Sequence, residues 1–181
     1  TTNEEGFTEH FIYDRSGKRT DYIDHDGNKT SYWFDDKHRT IREEGSDGTV
    51  IMNRYDSDDN LYEKDENGKL IRYTYDQKGN KLSALYNDGS AELWTYDNFN
   101  LETSYKDRDG VFYEYIRDNK GNLIEFKKGG RTVFTQVFDS RGLVTRYIQN
   151  GGSQIVYDYV YDNYGNLIEE LVADKKTKCL K

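Results

Sequence analysis

Apolar and polar positions alternate along most of this chain. Segments such as Leu70-Ile71-Arg72-Tyr73-Thr74-Tyr75 and Val156-Tyr157-Asp158-Tyr159-Val160-Tyr161 are rich in β-branched and aromatic residues, and no segment sustains a helical period of apolar positions. The pattern predicts strands, and turns punctuate them at a fixed interval. Asp14, Asp35, Asp56, Asp76, Asp97, Asp118, Asp139 and Asp162 each open a turn, at steps of 21, 21, 20, 21, 21, 21 and 23 residues. The cleanest copies read Tyr75-Asp76-Gln77-Lys78-Gly79-Asn80 and Tyr161-Asp162-Asn163-Tyr164-Gly165-Asn166-Leu167. A second set of turns lies half a period away, at Asp26-Gly27, Asp47-Gly48, Asn67-Gly68, Asp88-Gly89, Asp109-Gly110, Gly129-Gly130 and Asn150-Gly151. Asp-Gly and Asn-Gly pairs favour type I′ hairpins, which need positive φ at both central residues, so that turn is expected at the half-period positions. Two turns per period leave room for two strands of about six to eight residues.

The expected fold is therefore all-β: antiparallel β-hairpins from eight repeats of about 21 residues, forming an extended curved sheet or open spiral. A single continuous array is expected over residues 7–171, followed by a short lysine-rich tail at 172–181. Repeats of this kind bury their apolar face only against their neighbours. The residue before the repeat aspartate (position −1) is aromatic in Tyr13, Phe34, Tyr55, Tyr75, Tyr96, Phe138 and Tyr161, with Arg117 the exception. Position −3 adds Phe11, Tyr32, Tyr73, Trp94, Tyr115 and Tyr159. Residues two apart on a strand share a face, so the two columns predict an aromatic stripe, either a stacked core or an exposed ligand-binding ladder.

Composition sharpens this picture. A mean hydropathy of −1.07 and 34% hydrophobic residues lean toward disorder, but 17 Tyr, 8 Phe and 2 Trp supply large apolar bodies suited to a thin sheet. The chain has no proline, which keeps every strand able to donate to its ladder. Cys179 is the single cysteine, so no intrachain disulfide can form. Net charge is −8, with basic residues interspersed, which disfavours nucleic acid and anionic membrane surfaces and favours basic protein partners. No stretch is apolar enough to span a membrane as a helix. The chain begins at Thr1, so the lack of a leader carries no information.

Catalytic and metal-binding patterns are weak. His10, His25 and His38 occupy different positions in their repeats, and Cys179 lies in a lysine-rich tail; no catalytic residue, metal ligand or cofactor is expected. Asp24-His25-Asp26-Gly27-Asn28 and Asp56-Ser57-Asp58-Asp59-Asn60 resemble the start of a calcium loop, but the twelfth positions are Asp35 and Asn67 in place of a bidentate Glu. Turn chemistry explains these aspartates without a metal. For ligand docking the exposed ring is expected at Trp33, which sits at position −2 and so faces away from the stripe that holds Trp94.

The aromatic-Asp-x-x-Gly-Asn-Leu unit, repeated from Tyr13-Asp14-Arg15-Ser16-Gly17 to Tyr161-Asp162 over nearly the whole chain, resembles the RHS/YD repeat of bacterial RHS, toxin-complex and teneurin-type proteins. Several copies depart from it: Asp35-Asp36-Lys37-His38, for example, lacks the glycine, and Asp97-Asn98-Phe99-Asn100 has Asn there. The resemblance implies hairpins that spiral into a shell enclosing a toxic domain, or that engage glycans or other surface partners. The proline-containing core segment of large RHS toxins is absent, so the resemblance implies no self-cleavage. It leaves open a segment of a larger shell or a small stand-alone array. The expected function is a non-enzymatic structural segment or surface-displayed array, secreted or at the cell surface, with neighbouring repeats or a toxin domain as protein partner. Two binding alternatives stay open: a cytoplasmic acidic immunity-type protein that neutralises a toxin, and a glycan-binding array. Bare sheet ends also predict edge-to-edge self-association.

Overall fold

The computed structural model describes residues 8–175, which form sixteen β-strands and no helix. They fall into two compact units that meet between Ala91 and Glu92. The first unit contains β1 (His10–Tyr13), β2 (Arg19–Ile23), β3 (Lys29–Phe34), β4 (Thr40–Gly45), β5 (Val50–Tyr55), β6 (Leu61–Glu66), β7 (Lys69–Tyr75) and β8 (Lys81–Tyr86). The second begins with β9 (Ala91–Tyr96) and continues through β10 (Glu102–Lys106), β11 (Phe112–Arg117), β12 (Leu123–Lys128), β13 (Arg131–Phe138), β14 (Val144–Asn150), β15 (Gln154–Tyr161) and β16 (Leu167–Lys175). Pairing is antiparallel, and strand order equals chain order without a crossover, which makes the fold an all-β hairpin array. The last strand extends to Lys175, beyond the expected end of the array at Leu171. The rest of the lysine-rich tail, with Cys179, lies outside the described residues.

Each repeat aspartate caps its turn through Oδ1, and in six repeats Oδ2 accepts a further side-chain donor. In the Asp76 turn, Oδ1 accepts the N–H groups of Lys78 and Asn80 at 2.8 and 2.9 Å, and Oδ2 accepts the Asn80 amide at 2.9 Å. The Asp76 N–H donates to the Asn80 carbonyl, and the Gly79 N–H returns to the Asp76 carbonyl. This geometry drives the residue three past the aspartate to positive φ, where glycine avoids the Cβ penalty. Gly79 sits at 82°, yet His38, Asp59 and Asn100 hold the same place at 65°, 69° and 65°. The copies that look degraded in sequence thus keep the turn against a backbone cost.

The half-period turns differ from the expected type. Both central residues have positive φ only at Asn67-Gly68 and Gly129-Gly130. At Asp26-Gly27, Asp47-Gly48, Asp88-Gly89 and Asp109-Gly110 the glycine alone does, and at Asn150-Gly151 neither residue does. These are longer turns: at Asp24 and Asp107 the carboxylate caps them, bonding the N–H four residues on as the repeat aspartates do, and at Gly45 and Tyr86 backbone bonds close the same turn without that cap. Where the cap is present it reinforces the longer turn over the two-residue hairpin.

A β-bulge follows every repeat turn. In the Asp56 repeat, Arg54 opposes Glu63 and Tyr55 opposes Leu61, so Tyr62 is the extra residue. Thr20, Ile41, Leu82, Thr103, Ile124, Thr145 and Ile168 occupy the same place in the other repeats. The bulge lets strands of unequal length pair while each face keeps its own side chains. Burial is shallow: Ala84, at 1% exposure, is the one buried apolar side chain among the described residues. The rings are half covered, as expected of a sheet packed mainly on itself within its own plane.

Candidate functional site

Registers across the strands sort the side chains into two rows. Positions −3, +8 and −5, counted from successive repeat aspartates, lie directly opposite one another on one face, as in Trp94–Tyr105–Tyr113 and Tyr115–Phe126–Phe134. In the second unit this row is a chain of ring contacts. Trp94 to Tyr105 is 5.2 Å, Tyr105 to Tyr113 is 5.5 Å, Phe126 to Phe134 is 5.6 Å, and Phe134 to Tyr147 is 5.4 Å between centroids. It ends at Tyr157 and Tyr159, 6.5 Å apart. Offset and tilted pairs at these distances each add about 0.5–1.5 kcal/mol beyond area burial. In the first unit the +8 column holds Glu43, Lys64 and Ala84, and the ring chain lapses after Phe11–Tyr22.

Six of these rings escape the −1 and −3 columns read from the sequence: Tyr105, Phe126 and Tyr147 at +8, and Tyr113, Phe134 and Tyr157 at −5. Their signal is periodic too, but it runs on the second strand and the early half of the first. Of the predicted −3 residues, Tyr32 is covered by the Arg19 guanidinium at 4.8 Å and Tyr73 by the Lys81 ammonium at 5.7 Å, and Trp94, Tyr115 and Tyr159 enter the ring chain.

The −1 residues do something different. The Tyr55 hydroxyl donates to the Thr40 carbonyl at 2.9 Å, Tyr75 to Leu61 at 2.8 Å and Tyr161 to Val144 at 2.8 Å. Each acceptor lies five residues past the preceding repeat aspartate, so each hydroxyl clamps its repeat onto the one before. Arg117, the exception to the aromatic column, makes the same clamp by donating from Nη1 to the Glu102 carbonyl. Burial pushes the Tyr55 and Tyr75 phenols above their ordinary range, which keeps the donor proton in place. Phe34 and Phe138 lack a hydroxyl and hold the place by bulk, while Tyr13, at the start of the array, is 57% exposed.

Seven of the eight repeat aspartates are held ionised. Amide donation from Asn80, Asn122 and Asn166 lowers Asp76, Asp118 and Asp162 below the usual carboxylate range, and the Arg39 guanidinium does so for Asp35. Asp14 is lowered first by the Ser16 hydroxyl and Asp139 first by the Leu143 N–H. Asp56 and Asp97 cap their turns in the same way. Neighbouring turns also touch: Lys37 and Arg39 both reach the Asp59 carboxylate, at 2.5 and 2.6 Å, and Arg141 donates to the Asp162 carbonyl. Among the described residues no three His, Cys, Asp or Glu side chains converge as a metal site.

The opposite face carries positions −2, +7 and −4 and is mostly polar. Glu63 is buried between Arg54 and Arg72, whose Nε lies 2.9 Å from its Oε2. Thr74 and Ser83 share a hydrogen bond, and Arg146 holds Asp158 bidentately at 2.6 and 3.0 Å. Trp33 interrupts this polar row. It is 43% exposed, and the Arg42 guanidinium lies 5.0 Å over its ring. Beside it opens a groove of ≈ 570 Å³ lined by Trp33, Ile41, Arg42, Met52, Arg54 and Tyr62, among others. Ile41 and Tyr62 are bulge residues, which the strand period alone does not assign to a face. The Arg42 Nε is buried without a hydrogen-bond acceptor, and its guanidinium lies over the indole as a cation on a ring face.

No protein-family model matches the chain. In sequence it is similar to the tRNA3(Ser)-specific nuclease WapA of Bacillus spizizenii, 28% identical over 144 residues that cover 76% of this chain and 6% of that protein. The tRNA nuclease WapA of Bacillus subtilis strain 168 is 28% identical over 145 residues, with the same coverage. The chain therefore spans about 6% of the length of these curated relatives. Among solved structures it is similar to TcdB2-TccC3-Cdc42, with a TM-score of 0.73 and 14% identity over 94% of this chain and 11% of that one. TcdB2-TccC3 gives a TM-score of 0.72 at 13% identity, over 94% of this chain and 12% of that one. At such identities the likeness concerns the fold, which is RHS-like.

Proposed function

We propose that this chain is a non-enzymatic wall segment of a bacterial RHS-type protein, displayed outside the cytoplasm, whose repeats build a continuous β surface against a partner polypeptide. One observation carries it: the side chain before the repeat aspartate clamps its repeat to the carbonyl of the previous one, and where the ring is replaced, Arg117 makes the same bond. A surface invested in joining repeat to repeat suits extension more than catalysis. The similarity to toxin-complex chains of much greater length, and to nucleases of which it matches a small part, supports a toxin-associated setting. The nuclease names belong to those whole proteins; no cleaving activity is assigned to this segment. The test is to image the full reading frame that contains the chain by electron microscopy and to assay the chain itself on tRNA. The proposal expects the repeats to be seen as contiguous wall beside an enclosed domain, with the isolated chain inert. An isolated array bound in a cognate toxin's active cleft would favour the immunity alternative, and RNA cleavage by the chain would overturn both.

The groove at Trp33 favours a second role on the same wall. An exposed indole flanked by Tyr62, with arginine donors at hand, suits stacking against a sugar ring. Trp33→Ala would then abolish binding on a glycan array while the far-ultraviolet spectrum stays that of a β protein. Unchanged binding by the variant, or none by the parent, removes this role.

A further inference from the structure

The groove beside Trp33 carries more cation than it can pair. Three guanidiniums, Arg39, Arg42 and Arg54, line it against a single carboxylate, Asp35. That carboxylate is spent: Oδ1 accepts the N–H groups of Lys37 and Arg39, and Oδ2 accepts Arg39 Nε at 2.7 Å. Arg39 is spent with it, since its Nη1 also reaches Asp59. Arg42 gives Nη2 to Glu44 at 2.7 Å, and its Nε is the buried nitrogen without an acceptor. Arg54 is different. Its side chain is 62% exposed and engages Glu63 through Nη1. Its Nε–Nη2 edge, the one with which Arg146 grips Asp158, meets no described residue.

Charge and spacing say what fits there. Glu63 is one carboxylate between two guanidiniums, Arg54 and Arg72, so this cluster keeps one positive charge. On a chain of net charge −8, a local excess of cation selects anions. Trp33 and Arg54 both hold position −2, in consecutive repeats on β3 and β5, and both line the groove. Two strand spacings, about 10 Å, separate them along the sheet. A single sugar ring over the indole, with its carboxylate directed at Arg54, spans that gap. A protein partner would need about 800 Å² of contact around a centre poor in charge. Here the buried Glu63 and the hydrogen-bonded Thr74 and Ser83 flank the groove, which favours a small ligand.

We infer that this groove takes an acidic sugar, its ring stacked on Trp33 and its carboxylate held in the fork of Arg54. A planar carboxylate matches the guanidinium edge bidentately. The inference rests on the sugar-stacking reading of the groove and adds the charge of the ligand. The test is an NMR titration of the isotope-labelled whole chain with methyl β-glucuronide and methyl β-glucoside, read at the Trp33 indole N–H. The glucuronide is expected to bind about ten- to a hundredfold more tightly, the range of a hydrogen bond to a charged group. Arg54→Gln brings the two affinities together, while Arg54→Lys, which keeps the charge without the fork, retains part of the preference. Added sodium chloride shrinks the preference. The amide spectrum of each variant reports its fold. Equal binding of the two sugars by the parent chain, or a preference that survives Arg54→Gln, overturns this inference and leaves the sugar reading standing. Binding of neither sugar removes both. A tetraglutamate peptide that binds as tightly as the glucuronide also overturns it, and assigns the groove to an acidic polypeptide.

Discussion

At the scale of single residues, the turn and the clamp have separable energies. His38 holds φ 65° where five repeats use glycine. Relieving that conformation by His38→Gly is expected to stabilise the protein by about 0.5–1 kcal/mol, read as a higher urea midpoint at unchanged slope. Asp59→Gly is a poorer test, because Asp59 also receives Lys37 and Arg39. For the clamp, Tyr75→Phe removes the bond to the Leu61 carbonyl and leaves a half-buried acceptor unpaired, at a cost of about 1 kcal/mol. Arg117→Tyr should change stability by less than about 0.5 kcal/mol, since it offers the donor used by three other repeats, whereas Arg117→Leu costs about as much as Tyr75→Phe. The repeat aspartates set the acid limit. In Asp14, Asp35, Asp56, Asp76, Asp118, Asp139 and Asp162 the folded-state pKa lies below the ordinary 3.8, so the stability they contribute is complete above the unfolded value and is lost as pH falls through the folded one. Urea midpoints should be level from neutral pH to about 5 and decline below about 4. A midpoint that stays level down to about pH 3 would contradict this assignment.

Elements show how far the chain's pattern can be read and where it stops. Strand number, antiparallel order and the eight turns follow from the aspartate period and the aromatic columns, because both signals are local. The bulge is not legible, since the extra residue is Thr or Ile in six of the eight repeats, an ordinary strand former that local pattern does not distinguish from a paired one. Misplacing it shifts the second strand by one residue and hides the +8 column, which is why Tyr105, Phe126 and Tyr147 escape notice. The Asp-Gly pairs mislead because the turn spans more residues than the pair, closed by backbone bonds from the position two earlier, with a carboxylate cap added at Asp24 and Asp107. Trp33 was assignable to the face opposite Trp94 from alternation alone. Its groove was not, because Arg42, Met52 and Tyr62 come from three other strands. Phe126 sits at the hub of the ring chain, touching Tyr113, Tyr115 and Phe134. Phe126→Ala should cost about 2–3 kcal/mol, below the fully buried range because the ring is half covered, and well above Phe112→Ala on the exposed face.

For the whole molecule, the central claim is that stability accumulates repeat by repeat through neighbour contacts alone, with no shared interior to lose. The scarcity of fully buried side chains, the in-register rows and the recurring clamp all follow from that. Deleting residues 56–75, one complete period of 20, joins Tyr55 directly to Asp76 and so recreates the native aromatic-Asp junction. Nearest-neighbour accounting predicts a shorter, folded array with a strand-type spectrum and a urea slope reduced roughly in proportion to its length. Native-state amide exchange on this deletion variant is the most direct measurement. Protection retained in β1–β4 and in β9–β16 is the predicted result; loss of protection along the entire chain would contradict it.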